Sequence, residues 1–416
     1  MTHPLLALPQ ARQRGDHLGI TSVCSAHPVV IEAALRLGQA RDRTVLIEAT
    51  CNQVNQDGGY TGMAPRDFRA FVEAIAERVG FDPARIVLGG DHLGPNPWKK
   101  LDPEAAMQKA DALIAAYAEA GFSKLHLDTS MGCAGEPVAL DDAETAKRAA
   151  RLAEIAEAHK TGRDPVYVIG TEVPVPGGAT HGLDIVEPTE PDAVTRTHEV
   201  HRAAFAERGL EAAFDRVIAL VVQPGVEFGH TDVIHFDAEK AQALSATLTA
   251  YPGVVFEAHS TDYQRPEALR ALVANGYAIL KVGPWLTFAL REALYALDAL
   301  ADVMEGHAPR GGLMARMEEV MRAEPANWKG YYHGSDHDTW LQRHFSFSDR
   351  IRYYWPAPDA ATAVDALMDR LGDRVIPPPV RQQFFPSLGL DERPMTGRDL
   401  LLRAVTDVLK IYDDAI

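Results

Sequence analysis

The fold is decided by a short apolar segment that ends in polar side chains, IVLGGDHLGPNP at residues 86–97. Its first part is almost continuously apolar, as expected of a strand that is covered on both faces in a parallel sheet. Asp91 and His92 follow, and glycine and proline then mark the start of a loop. The segment therefore predicts a buried strand whose carboxyl end carries ionisable residues.

Seven further segments of this kind occur along the chain. They are residues 18–25 (LGITSVCS), 45–50 (VLIEAT), 125–129 (LHLDT), 166–173 (VYVIGTEV), 217–224 (VIALVVQP), 254–259 (VVFEAH) and 278–283 (AILKVG). Stretches with apolar residues three and four apart separate them and predict helices. These are residues 28–40, 65–79, 103–120, 141–159, 191–208, 238–250 and 266–275, with an eighth helix from residue 284. Five of the first seven begin with a proline, which suits a first helical turn.

Eight strand–helix units predict an α/β fold, a closed (β/α)₈ TIM barrel, over residues 1–305. An open, doubly wound sheet also alternates strands and helices and is the alternative. No GxGxxG segment follows an early strand, so we expect no dinucleotide site. After residue 305 the pattern changes to helices at 313–323, 360–371 and 399–411 with aromatic stretches between them. Residues 306–416 are therefore predicted to form a helical extension packed on the barrel.

Charge and cysteine content limit the partners and the location. The 416 residues include 58 Asp and Glu but only 41 Lys and Arg, a formal net charge of −17. We therefore expect no nucleic-acid partner and no membrane attachment, and the apolar runs are too short for a membrane helix. No secretory signal is visible, and the three cysteines form no CxxC pair, so we expect reduced thiols in a cytoplasmic protein. A homo-oligomer is compatible with this composition.

Histidines and acidic residues gather at the carboxyl ends of the predicted strands, where TIM barrels carry their active sites. His92 and His259 each end an apolar strand and are the predicted metal ligands. His230, Glu172 and Glu227 are the alternatives for a third ligand.

Proton transfer and covalent chemistry have separate candidates. Asp91, Glu172 and Glu227 are the predicted acid–base residues, although Asp91 could instead fix the tautomer of a nearby histidine. Lys281 lies within an apolar strand. It either forms a Schiff base with a ketose or makes an ion pair with a carboxylate such as Glu257.

Two regions are candidates for binding a phosphate group. Ser260 and Gly283 follow the seventh and eighth strands, where barrels hold phosphate with backbone N–H groups. Arg350 and Arg352 lie in the extension and have the planar fork that binds phosphate, the alternative being surface salt bridges. The remaining residues expected to contact substrate are Ser25, Asn52, Asp128 and Lys281.

Nine segments carry a resemblance to a known family. They are SVCSAHP (22–28), IEATCNQVNQDGGYTGM (47–63), GGDHLGPNPW (89–98), HLDTSMGCAG (126–135), IGTEVPVPGG (169–178), VVQPGVEFGH (221–230), FEAHSTDYQ (256–264), LKVGPWLTFALREALYAL (280–297) and SDRIRYYWP (348–356). Together they resemble the Z-type subunit family of tagatose-bisphosphate aldolase, once labelled tagatose-6-phosphate kinase, over about residues 15–410.

The resemblance implies a barrel related to class II, metal-dependent aldolases and a role in galactitol, tagatose or altritol breakdown. Some members support a separate aldolase subunit, and others are stand-alone D-tagatose 6-phosphate 4-epimerases. The kinase label finds no GxxxxGK[ST] segment here. We expect an epimerase that acts on a ketose phosphate with a divalent metal (Zn, Mn, Ni or Mg). The alternatives are a non-catalytic subunit that supports a class II aldolase partner and, third, a bisphosphate aldolase in its own right.

Overall fold

The protein is described here by a computed structural model that covers residues 2–171, 186–388, 391 and 393–416. Eight parallel strands of this part close into a barrel, and sequence neighbours pair all the way round. They are β1 (Ile20–Cys24), β2 (Val45–Thr50), β3 (Ile86–Leu93), β4 (Lys124–Leu127), β5 (Val166–Ile169), β6 (Val217–Val222), β7 (Val255–Ala258) and β8 (Tyr277–Val282). Because β1 also pairs with β8, with Ile20 opposite Ile279, the predicted TIM barrel is confirmed and the open sheet is excluded.

Within the described residues, ten α-helices precede or accompany the barrel strands. They are α1 (Ala7–Gln13), α2 (Pro28–Ala40), α3 (Pro65–Val79), α4 (Pro103–Glu119), α5 (Asp142–His159), α6 (Pro191–Ala206), α7 (Glu211–Phe214), α8 (Gln242–Ala246), α9 (Pro266–Ala274) and α10 (Pro284–Met304). Prolines stand in the first turn of six of these helices, where their missing N–H costs nothing. The helix predicted over 238–250 is shorter, because its second half is the 3₁₀ turn Thr247–Ala250.

The described residues after 305 add five α-helices, α11 (Gly312–Ala323), α12 (Asp336–Phe345), α13 (Pro358–Leu371), α14 (Pro378–Phe384) and α15 (Gly397–Asp413). Helix α15 packs against α2 and α10 of the outer helical layer. Its Tyr412 hydroxyl donates to the Thr261 carbonyl at 2.6 Å, just beyond the end of β7. The extension is thus in contact with the barrel, while the domain boundary at residue 305 stays a prediction. No helix in the described ranges is long and apolar enough to cross a membrane.

The amino-terminal end of the barrel interior is an apolar layer. Leu5 and Leu8, from the segment before β1, pack there against Leu46, Val87 and Ile279. All five side chains are buried. Burial of such side chains contributes about 1.5–3 kcal/mol each. We call this layer of Leu5, Leu8, Leu46, Val87 and Ile279 the apolar floor. It lies on the amino-terminal side of the polar residues at the carboxyl end.

Candidate active site

An open cavity of about 660 Å³ lies at the carboxyl end of the barrel. Its walls come from the ends of β1, β2, β3, β7 and β8, from the loops that follow, and from the extension. Eight of the residues predicted from the sequence line it: Asn52, Asp91, His92, His259, Ser260, Lys281, Gly283 and Arg352. This is the end of the barrel at which TIM-barrel enzymes carry out their chemistry.

A β-bulge aims two consecutive side chains into this cavity. Between the positions that pair with Leu125 and Leu127, β3 has two residues, Asp91 and His92, where β4 has one. Such an extra residue bends a strand and re-aims its side chains. The backbone of His92 accordingly has φ +49°, in the left-handed region that few non-glycine residues adopt. On a regular strand these two side chains would point to opposite faces.

Three histidines meet at the carboxyl end of the strands, and two of them, His92 and His259, line the cavity. The ring centroids of His92, His126 and His259 are 4.9 to 5.2 Å apart. With Asp91, they bring potential ligand atoms within 4.8 Å of one another. His126 Nε2 is buried and has no hydrogen-bond partner in the part of the chain that is described. An unpartnered buried nitrogen is costly, and three imidazoles are a common catalytic metal set, so this cluster fits a divalent cation.

Each of the three rings has a carboxylate within hydrogen-bond distance of one of its nitrogens. His92 Nδ1 is 2.8 Å from Asp128, and His259 Nε2 is 2.9 Å from Glu257. His126 Nδ1 is 2.9 Å from Asp91. Such partners fix the tautomer and orientation of metal-binding histidines. Burial lowers the pKa of His259 to about 3, so its ring stays neutral and can bind a cation.

A buried ionic network lies directly beneath the histidines. The Lys124 ammonium is 2.7 Å from Glu48 and 2.6 Å from Glu257. The Lys281 ammonium is 2.6 Å from Asp91 and 2.9 Å from Glu48. Burial lowers the pKa of Lys281, but the surrounding carboxylates outweigh burial and hold it well above its usual value. The ion-pair interpretation of Lys281 therefore fits, whereas a Schiff base, which needs a neutral amine, does not.

His230 is not part of the histidine cluster, contrary to its prediction as a metal ligand. Its Nδ1 is 3.0 Å from the Ser346 hydroxyl and its Nε2 is 3.1 Å from the Tyr331 carbonyl. The loop after β6 carries it to the extension, where both ring nitrogens have partners. His126 of β4 lies beside the other two rings instead, although it is not among the ligands predicted from the sequence.

Of the two glutamates predicted for proton transfer, the structure describes one, Glu227. Glu172 lies outside the described residues. Glu227 belongs to the short antiparallel ribbon of Glu227–Phe228 with Val233–Ile234. It is buried, accepts the Phe228 N–H at 2.9 Å, and is absent from the described residues that line the cavity. Burial raises its pKa to about 7.

The backbone phosphate site predicted at Gly283 is filled by a side chain of the protein. The Asp262 carboxylate accepts the N–H groups of Gly283 at 3.0 Å and Trp285 at 2.7 Å. It thus caps the start of α10, and burial raises its pKa to about 6. The first turn of this helix is therefore already paired with a carboxyl group.

Three other residues expected to bind substrate face elsewhere. The Arg350 guanidinium lies 3.3 Å from the centre of the Tyr331 ring and donates to the Asn327 carbonyl, which places it within the extension. Asp128 lies behind His92. Ser25 lines a neighbouring cavity and not the one at the histidines. Arg352 is thus the arginine of the predicted pair that reaches the site.

The fold and the site define a TIM-barrel protein with a carboxylate-backed histidine cluster at the carboxyl end of its strands. The chain matches, over residues 5–416, the family described as D-tagatose-1,6-bisphosphate aldolase subunit GatZ/KbaZ-like. It belongs to this family, as the resemblance of its segments predicted.

The names of three similar proteins state a function. The chain is 54% identical to a D-tagatose 6-phosphate 4-epimerase of Agrobacterium fabrum, covering 100% of this chain and 99% of that protein. It is 51% identical to a D-tagatose-1,6-bisphosphate aldolase subunit GatZ of Klebsiella pneumoniae, over 96% of each. A solved structure from Sinorhizobium meliloti, named a probable tagatose 6 phosphate kinase, matches with a TM-score of 0.88 and 57% identity, covering 96% of this chain and 100% of that one.

Proposed function

We propose that this chain is a D-tagatose 6-phosphate 4-epimerase that forms D-fructose 6-phosphate. The observation that carries the proposal is the cluster of three histidines with Asp91, of which Asp91, His92 and His259 line the cavity. The full-length relative of 54% identity that bears this name supports the choice of substrate.

The position of the inverted carbon sets the type of reaction. The C4 hydrogen of a 2-ketose is not adjacent to the carbonyl, so simple enolisation cannot invert C4. A retro-aldol step can. A base takes the proton of the C4 hydroxyl, the C3–C4 bond breaks, and its electron pair passes to C3. The aldehyde fragment then rotates about its C4–C5 bond, the C3–C4 bond re-forms on the opposite face, and the proton returns to the C4 oxygen.

Asp91 is the proton acceptor in this proposal. It lines the cavity and has the Lys281 ammonium 2.6 Å away. Burial raises its pKa, but the charges of His92 and Lys281 outweigh burial and hold it well below the usual value. Asp91 is therefore ionised at physiological pH and can accept a proton. Its bond to His126 gives it a second task, the orientation of that ring.

A divalent cation would be held by His92, His126 and His259. When bound, it would supply a Lewis acid for the substrate oxygens on which negative charge develops. Imidazole donors suit Zn²⁺ or Ni²⁺ better than Mg²⁺, which prefers oxygen ligands. The carboxylates behind the rings keep these donors in place whether or not substrate is present.

Arg352 is the proposed partner of the substrate phosphate. Its Nη2 donates to the Tyr353 hydroxyl at 3.0 Å, and its Nη1 donates to the Asp349 carbonyl at 3.0 Å. These bonds fix the guanidinium at the cavity wall without neutralising it. A charged group held in this way can anchor the phosphate, with Asn52 and Ser260 near the sugar hydroxyls.

A second candidate function is the support of a class II aldolase subunit. The relatives of about 50% identity that are named GatZ subunits favour it. In that case the barrel would act through a partner protein. Free thiols at all three cysteines are compatible with the proposed cytoplasmic location in both cases.

One incubation separates the two functions. The purified chain is mixed with D-tagatose 6-phosphate and Zn²⁺ or Mn²⁺, and D-fructose 6-phosphate is measured by an enzyme-coupled assay. We expect conversion by the chain alone and loss of conversion in Asp91→Asn. No conversion by the chain alone, together with stimulation of an added class II aldolase subunit, would overturn the epimerase and support the second candidate.

A further inference from the structure

A second, larger cavity of about 1210 Å³ adjoins the cavity that holds Asp91, His92 and His259, which we call the reaction cavity. Four residues line both cavities and therefore form their shared wall: Cys24, Gln53, Tyr60 and Arg352. Tyr60 is the aromatic member of this set. It comes from the loop after β2, whereas Arg352 comes from the extension.

The wall is closed by an aromatic contact between these two parts of the chain. The rings of Tyr60 and Tyr353 meet edge to face, with centroids 4.8 Å apart. Tyr353 lines the reaction cavity but not the second cavity. Arg352 donates to its hydroxyl and so ties the contact to the proposed phosphate partner. The barrier thus lies next to the place where the phosphate-bearing end of the substrate would sit.

The backbone around Tyr60 is built to hold this position. Gly58, Gly59 and Gly62 all have positive φ, at +102°, +57° and +76°. A Cβ at Gly59 would lie 2.4 Å from the Gln53 carbonyl oxygen, so a side chain there would force the loop to move. The Tyr60 N–H donates to the Asn52 carbonyl at 3.0 Å. These features bring Tyr60 close against the cavity rim.

The retro-aldol route creates a need for such a barrier. After the C3–C4 bond breaks, the phosphate is on the three-carbon aldehyde, which must rotate before it adds back. If that fragment leaves, the enediolate takes a proton at C3 and becomes dihydroxyacetone. The fragment itself is then released as D-glyceraldehyde 3-phosphate, and the net reaction is cleavage.

We propose that Tyr60, in contact with Tyr353, forms a barrier that retains the aldehyde phosphate, so that the reaction ends as epimerisation and not as cleavage. This inference rests on the proposed epimerase function. Tyr60 is a specificity-determining residue in this account, since it controls where the fragment goes and takes no part in bond breaking.

The test measures how the product divides between two outcomes. Wild-type protein, Tyr60→Ala and Tyr60→Phe are incubated with D-tagatose 6-phosphate and Mn²⁺, and D-fructose 6-phosphate, D-glyceraldehyde 3-phosphate and dihydroxyacetone are quantified. We expect the ratio of free trioses to fructose 6-phosphate to rise about tenfold in Tyr60→Ala, because loop barriers sequester reacting fragments. Tyr60→Phe keeps the ring contact and is expected to keep the wild-type ratio. Met63→Ala, in the second cavity only, is the matched control for the wall.

The outcomes are distinguishable. Epimerisation by Tyr60→Ala with the wild-type ratio would overturn the barrier while leaving the epimerase intact. An equal rise of the ratio in Met63→Ala would also overturn the barrier, because a substitution outside the shared wall would then have the same effect as one within it. Absence of fructose 6-phosphate from wild-type protein would reject the function and the barrier together. If Tyr60→Ala does not fold, Tyr60→Leu, which removes the ring but keeps bulk, is measured in its place.

Discussion

The two ends of the barrel interior have opposite chemistry, although the same strands build both. At the amino-terminal end, Leu46 of β2 and Ile279 of β8 pack in the apolar floor. Two residues further along these strands, Glu48 and Lys281 form the buried ionic network, 2.9 Å apart. Because side chains two apart on a strand share a face, one register serves both layers. The step from floor to ionic layer takes about 7 Å of strand.

Stability and function are therefore separated along the barrel axis. In the floor, each side chain contributes its own burial and can be shortened at the cost of a cavity. In the ionic layer, each charge is satisfied by another charge, so removal of one leaves its partner buried and unpaired. We therefore expect substitutions at the two ends to have different kinds of effect.

The largest effect is expected where a proposed cation ligand is removed. In His126→Ala we expect the affinity for Zn²⁺ or Mn²⁺ to fall about 100-fold or more, since even the partners behind such ligands are worth 10–100-fold. Isothermal titration calorimetry measures this directly. His230→Ala is the matched control, because both nitrogens of His230 are engaged by the extension. A loss of affinity in His230→Ala but not in His126→Ala would contradict the histidine cluster as the cation site.

The next effect concerns proton transfer. Asp91→Asn keeps the size of the side chain but cannot accept the C4 hydroxyl proton, so we expect kcat to fall by about 10²- to 10⁴-fold. Cation affinity is measured in the same variant. A fall in cation affinity as large as that in His126→Ala, with kcat restored at saturating metal, would show that Asp91 acts only by holding its histidine.

The floor and the strands could be predicted from the sequence, because buried positions appear there directly as runs of apolar residues. The prediction gave β2 its observed bounds, Val45–Thr50, and helix α2 also has the predicted ends, from a proline at its first turn. By contrast, α12 was not predicted, since its sequence DHDTWLQRHF is polar and lacks a clear apolar period. Local patterns therefore gave most of the barrel and only part of the extension.

The site could be predicted only in outline. Position at a strand end correctly brought His92 and His259 to one cavity, but a bulge that turns Asp91 and His92 to the same side has no signal in a single sequence. His126 was missed although a signal existed. Lys124 and His126 are two apart in a buried strand, so both had to face one polar interior. The link between His230 and Ser346 depends on a chain separation of 116 residues and could not be read locally.

A paired comparison of the two ends should show the separation of stability from function. We expect Lys124→Met to lose about 3–5 kcal/mol of unfolding free energy, because Glu48 and Glu257 stay buried and each loses its closest ammonium partner. Since Glu257 holds His259, cation affinity should also fall, by about 10–100-fold. Leu8→Ala should lose a similar amount, about 2–5 kcal/mol, with unchanged cation affinity. Urea unfolding and calorimetry measure the two quantities, and a loss of cation affinity in Leu8→Ala would remove the proposed separation.

The smallest effect is a pH dependence at the functional end but outside the ionic network. Glu227 has no ammonium partner in the described part of the chain, and burial raises its pKa from 4.5 to about 7. Between these values the folded protein binds more protons than the unfolded chain, so this group makes stability fall as the pH rises through about 7. Glu227→Gln cannot ionise, and we expect it to gain about 1–3 kcal/mol over wild type between pH 5 and pH 8. Urea unfolding across this range tests the prediction, and parallel stability curves for the two proteins would show that Glu227 is not held in its neutral form by the fold.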